Sequence, residues 1–584
     1  MQLTPLRRLV VFATLLGTAT LAAACGGTES SAGPTAFASF ADSYFDSLYT
    51  FAPSQGTAAG FHQYDSKIED FSAPAEQHRI ATLKTQLAHL DSLRGGKLAV
   101  DDSIDAAMID GAIRSELQDL EVIRSWKTNP MGYAGLAGNA VDLLMKRNFS
   151  SPVERLKAAT SRLRGIPAVL AAMRANIENP PKEFTDLSIQ IAEGSVGFFK
   201  GDVAKWAKES AGADTAALQA FTLVNDSVVA AMQSAAVWLK TDLKPRSKGS
   251  YAIGAKAFAD KLMYDEMVDI PLDRLLALGE ANLQKDVDDF IATAKVVAPG
   301  KTPQEAMASI ESDHPTAANL IERARATVEG ARQFLIDKKI VDVPSEVLPI
   351  VTETPPYARN GSFASMDSPG AYETKATEAF YYVTPPEKNW DAKHIEEHLR
   401  SFNRSEMDIT TVHETYPGHY LQFLYVHQFP TKTRKLLAAS SNAEGWAHYG
   451  EQMMVEEGFG NHDPKIHLAQ LGDALLRDCR WVVGMKEHTQ GLSVEDGGKE
   501  YFAKKCFQEP SNGFEEARRG AYNPTYLYYT LGKLEIYKLR ADYQKAKGSA
   551  YSLREFHNEF VKQGSLPLKL MRRIMLPGDK GSVL

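Results

Sequence analysis

The chain has 584 residues, 44% hydrophobic and 24% charged, which is globular material long enough for a large core or for two lobes. A formal charge of −8 and a pI near 6.0, with arginine and lysine scattered along the sequence, exclude a polyanion-binding surface, and no nucleic-acid partner is expected. Three cysteines make no disulfide framework.

At the N-terminus, Arg7 and Arg8 precede an uncharged run from Leu9 to Ala24. That run is shorter than the roughly 18 residues of a spanning helix. It reads as a signal peptide over residues 1–24. Its end, Leu21-Ala22-Ala23-Ala24-Cys25-Gly26-Gly27, resembles a bacterial lipoprotein box with Cys25 as the lipidated residue, although Ala22 fills a position usually held by leucine. Ordinary secretion with cleavage near Ala24 is the competing reading. Both export the mature protein, and a lipid on Cys25 would tether it to the bacterial cell envelope, its one link to a membrane. Residues 25–35 are rich in Gly, Ser and Thr and read as a flexible tether.

From there the spacing of apolar residues predicts amphipathic helices over Ile80–Leu93, Ser103–Trp126, Val153–Ile177, Ala216–Leu239, Pro271–Ala292 and Ala317–Ile336. Asp101 and Ser151 are plausible caps, the latter followed by Pro152 at the first helical position. Only Val347–Val351 and Phe380–Val383 read as short strands. They flank a Pro/Gly/Ser-rich stretch, 355–370, that is either a surface loop or an edge of a substrate cleft, since extended substrates pair with exposed strands. Helices resume after Asn389, at about His394–Asn403, Glu406–Tyr416, Gly418–Gln428, Arg434–Glu457, Pro464–His488, Val494–Phe507, Pro524–Lys545 and Leu553–Gln563. The pattern predicts a mainly α, two-lobed fold with a few short strands lining a central cleft. An N-terminal helical lobe covers 36–345 and a C-terminal catalytic helical lobe 346–584. Cys479 and Cys506 either form one bridge or stay as two buried thiols, with the thiols preferred.

The chemistry concentrates at His413-Glu414-Thr415-Tyr416-Pro417-Gly418-His419. In H-E-x-x-H helices two imidazoles four residues apart share one face, bind Zn²⁺, and leave the glutamate to activate water. Here the gap is six, which at roughly 100° per residue turns the second ring about 120° away. A regular helix cannot bring both rings to one ion. Pro417 lacks an N–H and disfavours helix at Tyr416, while Gly418 opens backbone angles closed to other residues. The helix is therefore expected to break or bulge between the two histidines. The competing reading is a loop that happens to hold these side chains.

A third ligand is expected from Ala443–Glu451, where Glu444, His448 and Glu451 share a helix face. Trp446, Ala447 and Tyr449 suit a packed environment, and a buried carboxylate needs a partner such as a metal. Glu444 is the expected ligand, His448 the reserve, and Glu451 the residue that orients a ligand from behind. One Zn²⁺ or another divalent ion would be held by His413, His419 and Glu444, with Glu414 as general base.

At these residues the chain resembles the bacterial domain-of-unknown-function 885 family, which carries an H-E-x-x-P-G-H block and then an E-G-W-A block. The match is His413–His419, Leu421-Gln422 and Glu444-Gly445-Trp446-Ala447. Further similarity lies in Arg477, Arg480 and His488, in Glu516 with Arg519, in Tyr529 with Gly532 and Lys533, and near Tyr44–Asp65, so that about residues 36–578 are covered. Gly484 and His448 depart from the family pattern, and Pro524–Gly532 is one residue short. The resemblance implies a mostly helical, metallopeptidase-like protein distantly akin to zinc carboxypeptidases and oligopeptidases. Tyr529 and His488 then become candidates for stabilising the oxyanion, against a core role for the tyrosine and a solvated helix end for the histidine. Arg480 and Arg519 become candidates for binding a peptide's C-terminal carboxylate, against salt bridges to Asp478 or Glu516. Salt bridging is preferred for Arg477. The leading expectation is an exported zinc-dependent hydrolase of short peptides, with carboxypeptidase action as one form. Its rivals are a metal-dependent amidase or esterase on a non-peptide substrate and a non-catalytic lipid-anchored binding protein.

Overall fold

Apolar residues recur at helical spacing along most of the chain, and the computed structural model is accordingly mainly α with one small sheet. It describes residues 35–355, 359 and 363–584. The expected leader, Cys25 and the tether up to residue 34 lie outside the described residues, as does part of the 355–370 stretch. No helix among the described residues is long and apolar enough to cross a membrane.

The helices needed below are numbered in chain order. Helix α1 (Val100–Gln118) starts earlier than expected, with Ala99 rather than Asp101 at the cap. Asp101 lies in the first turn, where a carboxylate favours the helix dipole, and pairs with Arg434 at 2.6 Å. After α2 (Met131–Lys146), the expected single helix from Val153 is two, α3 (Pro152–Leu163) and α4 (Ile166–Asn176). The break falls at Gly165, and Pro167 sits in the first turn of α4, where its missing N–H costs nothing. Ser151 caps α3 as expected, accepting the Glu154 N–H at 3.3 Å. Helices α5 (Leu272–Val297) and α6 (Leu320–Lys338) lead into the sheet.

Strand β1 (Ile350–Glu353) lies two or three residues beyond its expected place, and β3 (Phe380–Val383) is where the aromatic run put it. Between them the Pro/Gly/Ser-rich stretch contributes an unforeseen strand, β2 (Ala364–Asp367). The order is β1-β3-β2, with β1 parallel and β2 antiparallel to the central β3. Helices α7 (Arg404–Glu414), α8 (His419–Leu424), α9 (Ser440–Glu456), α10 (Pro464–Thr489), α11 (Pro510–Tyr522) and α12 (Tyr528–Lys547) follow.

Apolar packing does not part at residue 345. One core joins Leu320, Val328 and Leu335 to Val412, Trp446 and Phe560. A second joins Leu275, Leu283 and Phe290 to Leu475, Trp481 and Phe502. Two further cores have almost all their buried residues in the N-terminal part, one from Phe37 to Leu120 and one from Tyr133 to Leu243 that also takes in Ala376. Cys479 and Cys506 are not the expected pair of thiols: both are buried, and they form a disulfide with Cα atoms 6.5 Å apart. Burial and pairing coincide here because α10 packs against the segment that precedes α11.

Candidate metal centre

Asn403 caps α7, accepting the Glu406 N–H at 3.1 Å, and the helix runs until Glu414. Thr415 then leaves helical geometry at φ −117° and ψ −80°. The chain doubles back: Gly418 N–H donates to the Val412 carbonyl at 3.1 Å, and Leu421 N–H to Thr415 at 3.1 Å. The Tyr416–Pro417 peptide is cis. A Cβ at Gly418 would overlap the His413 carbonyl oxygen, so only glycine fits this return. The Trp446 indole N–H holds the Pro417 carbonyl at 2.8 Å. His419 opens the new helix α8, so the helix is broken outright rather than bulged.

The break brings the two imidazoles to a centroid separation of 4.9 Å at 87°. Glu444 reaches both from α9, with Oε2 at 3.5 Å from His413 Nε2 and 3.4 Å from His419 Nε2. One ligand atom from each of the three side chains lies within 4.8 Å of the others. Close contact between Gly445 and Gly532 lets α9 and α12 approach, because a Cβ on either would strike the other helix's backbone. That crossing sets Glu444 beside Tyr528 and Tyr529.

Behind the cluster, Glu451 accepts the His413 Nδ1–H at 2.6 Å and the His448 Nδ1–H at 3.0 Å, and Arg477 pairs with it at 3.1 Å. This fixes the His413 tautomer and leaves Nε2 facing Glu444 and His419. Glu451 thus stands behind His413, where the orienting role expected of it requires it to be. His448, the reserve candidate, is not among the three converging side chains; it is fully buried behind Glu451, and burial pulls its imidazole down to about 3. Burial would lower His413 as well, but hydrogen bonds to Glu444 and Glu451 push it up to about 10. Burial would raise Glu444, yet the two histidines hold its carboxyl well below the usual range. The pocket therefore favours positive charge at its centre. Two imidazoles and a carboxylate converging there fit a divalent ion such as Zn²⁺.

Glu414 follows His413 at the end of α7; it is half-buried, and its Oε2 accepts the Met366 N–H of β2 at 2.8 Å. Tyr529 stands over His413 with ring centroids 6.4 Å apart, and burial with the nearby Glu444 raises its phenol. His488 is elsewhere. Its Nδ1 accepts the Ile253 N–H at 3.4 Å and its Nε2–H donates to the Gly520 carbonyl at 2.9 Å, so this buried ring ties three segments together and has no lone pair for a reaction. Arg480 is also committed, forming two hydrogen bonds to Glu516 at 2.6 and 3.0 Å while buried against Tyr526. Arg519 shares Glu516 at 3.3 Å, but its side chain is 49% exposed, so it alone of the pair is open to solvent. The stretch read as either a surface loop or an edge of a substrate cleft supplies this contact through β2, but nothing in its residue pattern names Glu414 as the partner.

Residues 53–575 match the family described as a bacterial protein of unknown function, DUF885. A solved structure of a candidate lipoprotein of unknown function from Shewanella oneidensis is 26% identical, with a TM-score of 0.79 over 93% of this chain and 100% of that one. A candidate lipoprotein from Colwellia psychrerythraea is 17% identical and shares the fold, with a TM-score of 0.78 over 92% of this chain and 98% of that one. No curated protein matches the sequence.

Proposed function

This chain belongs to the bacterial DUF885 family, and on that premise we propose that it is an exported metal-dependent hydrolase that cleaves peptide bonds. The observation that carries the reading is the convergence of His413, His419 and Glu444, with Glu414 next to His413 in the chain and held by Met366 N–H. A divalent ion in that set, Zn²⁺ by the donor chemistry, would polarise a carbonyl and lower the pKa of water.

The chain's own residues supply the rest. Met366 N–H anchors one carboxylate oxygen of Glu414 and leaves the other to take a proton from water and return it to the leaving amine. The Tyr529 hydroxyl, kept protonated by its burial, donates to the carbonyl oxygen as negative charge builds there. Arg519 would receive a C-terminal carboxylate, which makes carboxypeptidase action the exo-acting form of the reading. The structural similarity to candidate lipoproteins supports export, and Cys25 would carry the lipid.

Metal analysis of purified protein, coupled to a peptide-library digest read by mass spectrometry, tests this. One ion per chain and cuts abolished by Glu414→Gln with the metal retained are expected. Full hydrolysis in Glu414→Gln, His413→Ala and Glu444→Ala alike would overturn it.

A further inference from the structure

Strand β2 is an edge strand whose outer side faces the candidate site. Its phase follows from one bond: Thr384 N–H donates to the Phe363 carbonyl at 2.8 Å, so Phe363 and Thr384 are a hydrogen-bonded antiparallel pair. With Ser365 opposite Tyr382 and Asp367 opposite Phe380, residues 363, 365 and 367 turn their N–H and C=O groups towards β3. Ala364 and Met366 turn theirs outward. The outward Met366 N–H is the group that holds Glu414. The Met366 carbonyl points the same way and accepts no hydrogen bond among the described residues.

The strand is fixed in place independently of any substrate. The Arg147 guanidinium binds the Asp367 carboxylate at 2.7 Å and its carbonyl at 3.1 Å, and Lys146 adds a second ion pair at 3.2 Å. Helix α2 thereby clamps the C-terminal end of β2, while β3 holds its inner side. A half-buried strand edge whose Met366 carbonyl has no partner among the described residues, and whose Met366 N–H holds Glu414, is a template for one more strand.

We infer that substrate docks as an extended peptide along the outer edge of β2, donating one backbone N–H to the Met366 carbonyl while the Met366 N–H aims Glu414. The inference rests on the hydrolase reading and names its substrate class. Recognition through main-chain groups tolerates varied side chains. It rejects an ester or amide that offers no second N–H, and so separates peptides from the non-peptide substrates of the rival reading.

The test takes a peptide that the wild-type protein cleaves and measures its binding to metal-loaded Glu414→Gln by calorimetry, methylating each backbone nitrogen in turn. One amide other than the scissile one should lose about tenfold in affinity on methylation. Replacing that same amide by an ester should cost a similar factor, which separates a lost N–H from added bulk. In the wild type the same methylation should raise KM and leave kcat nearly unchanged. If every non-scissile position tolerates both changes while cleavage persists, docking on β2 is wrong and the hydrolase reading stands. If the wild type cleaves no peptide and binds no metal, both fall together.

Discussion

His413 and His488 are both buried, both lie near the end of a helix, and both fall in segments that resemble family motifs. They differ in what their nitrogens face. His413 gives Nδ1–H to a carboxylate and keeps Nε2 for a second imidazole and a second carboxylate. His488 spends both nitrogens on backbone groups of distant segments. A histidine surrounded by charged side chains is set up to exchange a proton for a cation, whereas one surrounded by peptide groups is a cross-link. Motif membership does not separate the two, and partner type does.

The largest effects should fall on the His413 side. His413→Ala and Glu444→Ala should lose the bound metal and with it essentially all hydrolysis, measured by metal content and turnover. Glu414→Gln should keep the metal and lose activity by about a thousandfold. On the other side, Arg480→Ala should leave Glu516 buried without its main partner and cost about 3–5 kcal/mol in denaturant unfolding, with metal content unchanged. If Arg480→Ala removed the metal instead, the division between the two regions would be wrong. Glu451→Gln sits between them: it keeps the fold but should weaken metal affinity about 10- to 100-fold by loosening His413.

A separate effect, away from the candidate site, is a pH slope. Glu487 is fully buried, and burial, with Glu183 nearby, raises its carboxyl to about 9. Its folded pKa exceeds the unfolded one, so the folded state binds the extra proton between them. Stability should be greatest below about pH 4.5 for this group and fall as pH rises towards 9, by at most about 1.4 kcal/mol per pH unit. Glu487→Gln should flatten that slope in thermal melts at several pH values and leave metal binding untouched.

The helical character and the positions of many helices were legible because apolar spacing and turn residues are local signals. The convergence of His413, His419 and Glu444 was legible for a different reason. A step of six residues from one histidine to the next is an impossible helix spacing for one ion, and Pro417 with Gly418 named the place of the break. What stayed hidden depends on partners far away in sequence. The commitment of His488 is to Ile253 and Gly520, and that of Glu414 to an N–H 48 residues before it, whereas the Arg480 bond to Glu516 is one of the two salt bridges weighed from the sequence. Neither the division of Val153–Ile177 into two helices nor the strand at Ala364–Asp367 has a strong local mark, since a single glycine or a polar run fits several conformations.

Equilibrium dialysis of the full chain against Zn²⁺, with His413→Ala and His488→Ala in parallel, addresses the claim most directly. One ion per chain in the wild type and in His488→Ala, and none in His413→Ala, is the predicted result. Wild-type protein that retains no ion, or His413→Ala protein that retains a full one, would contradict it.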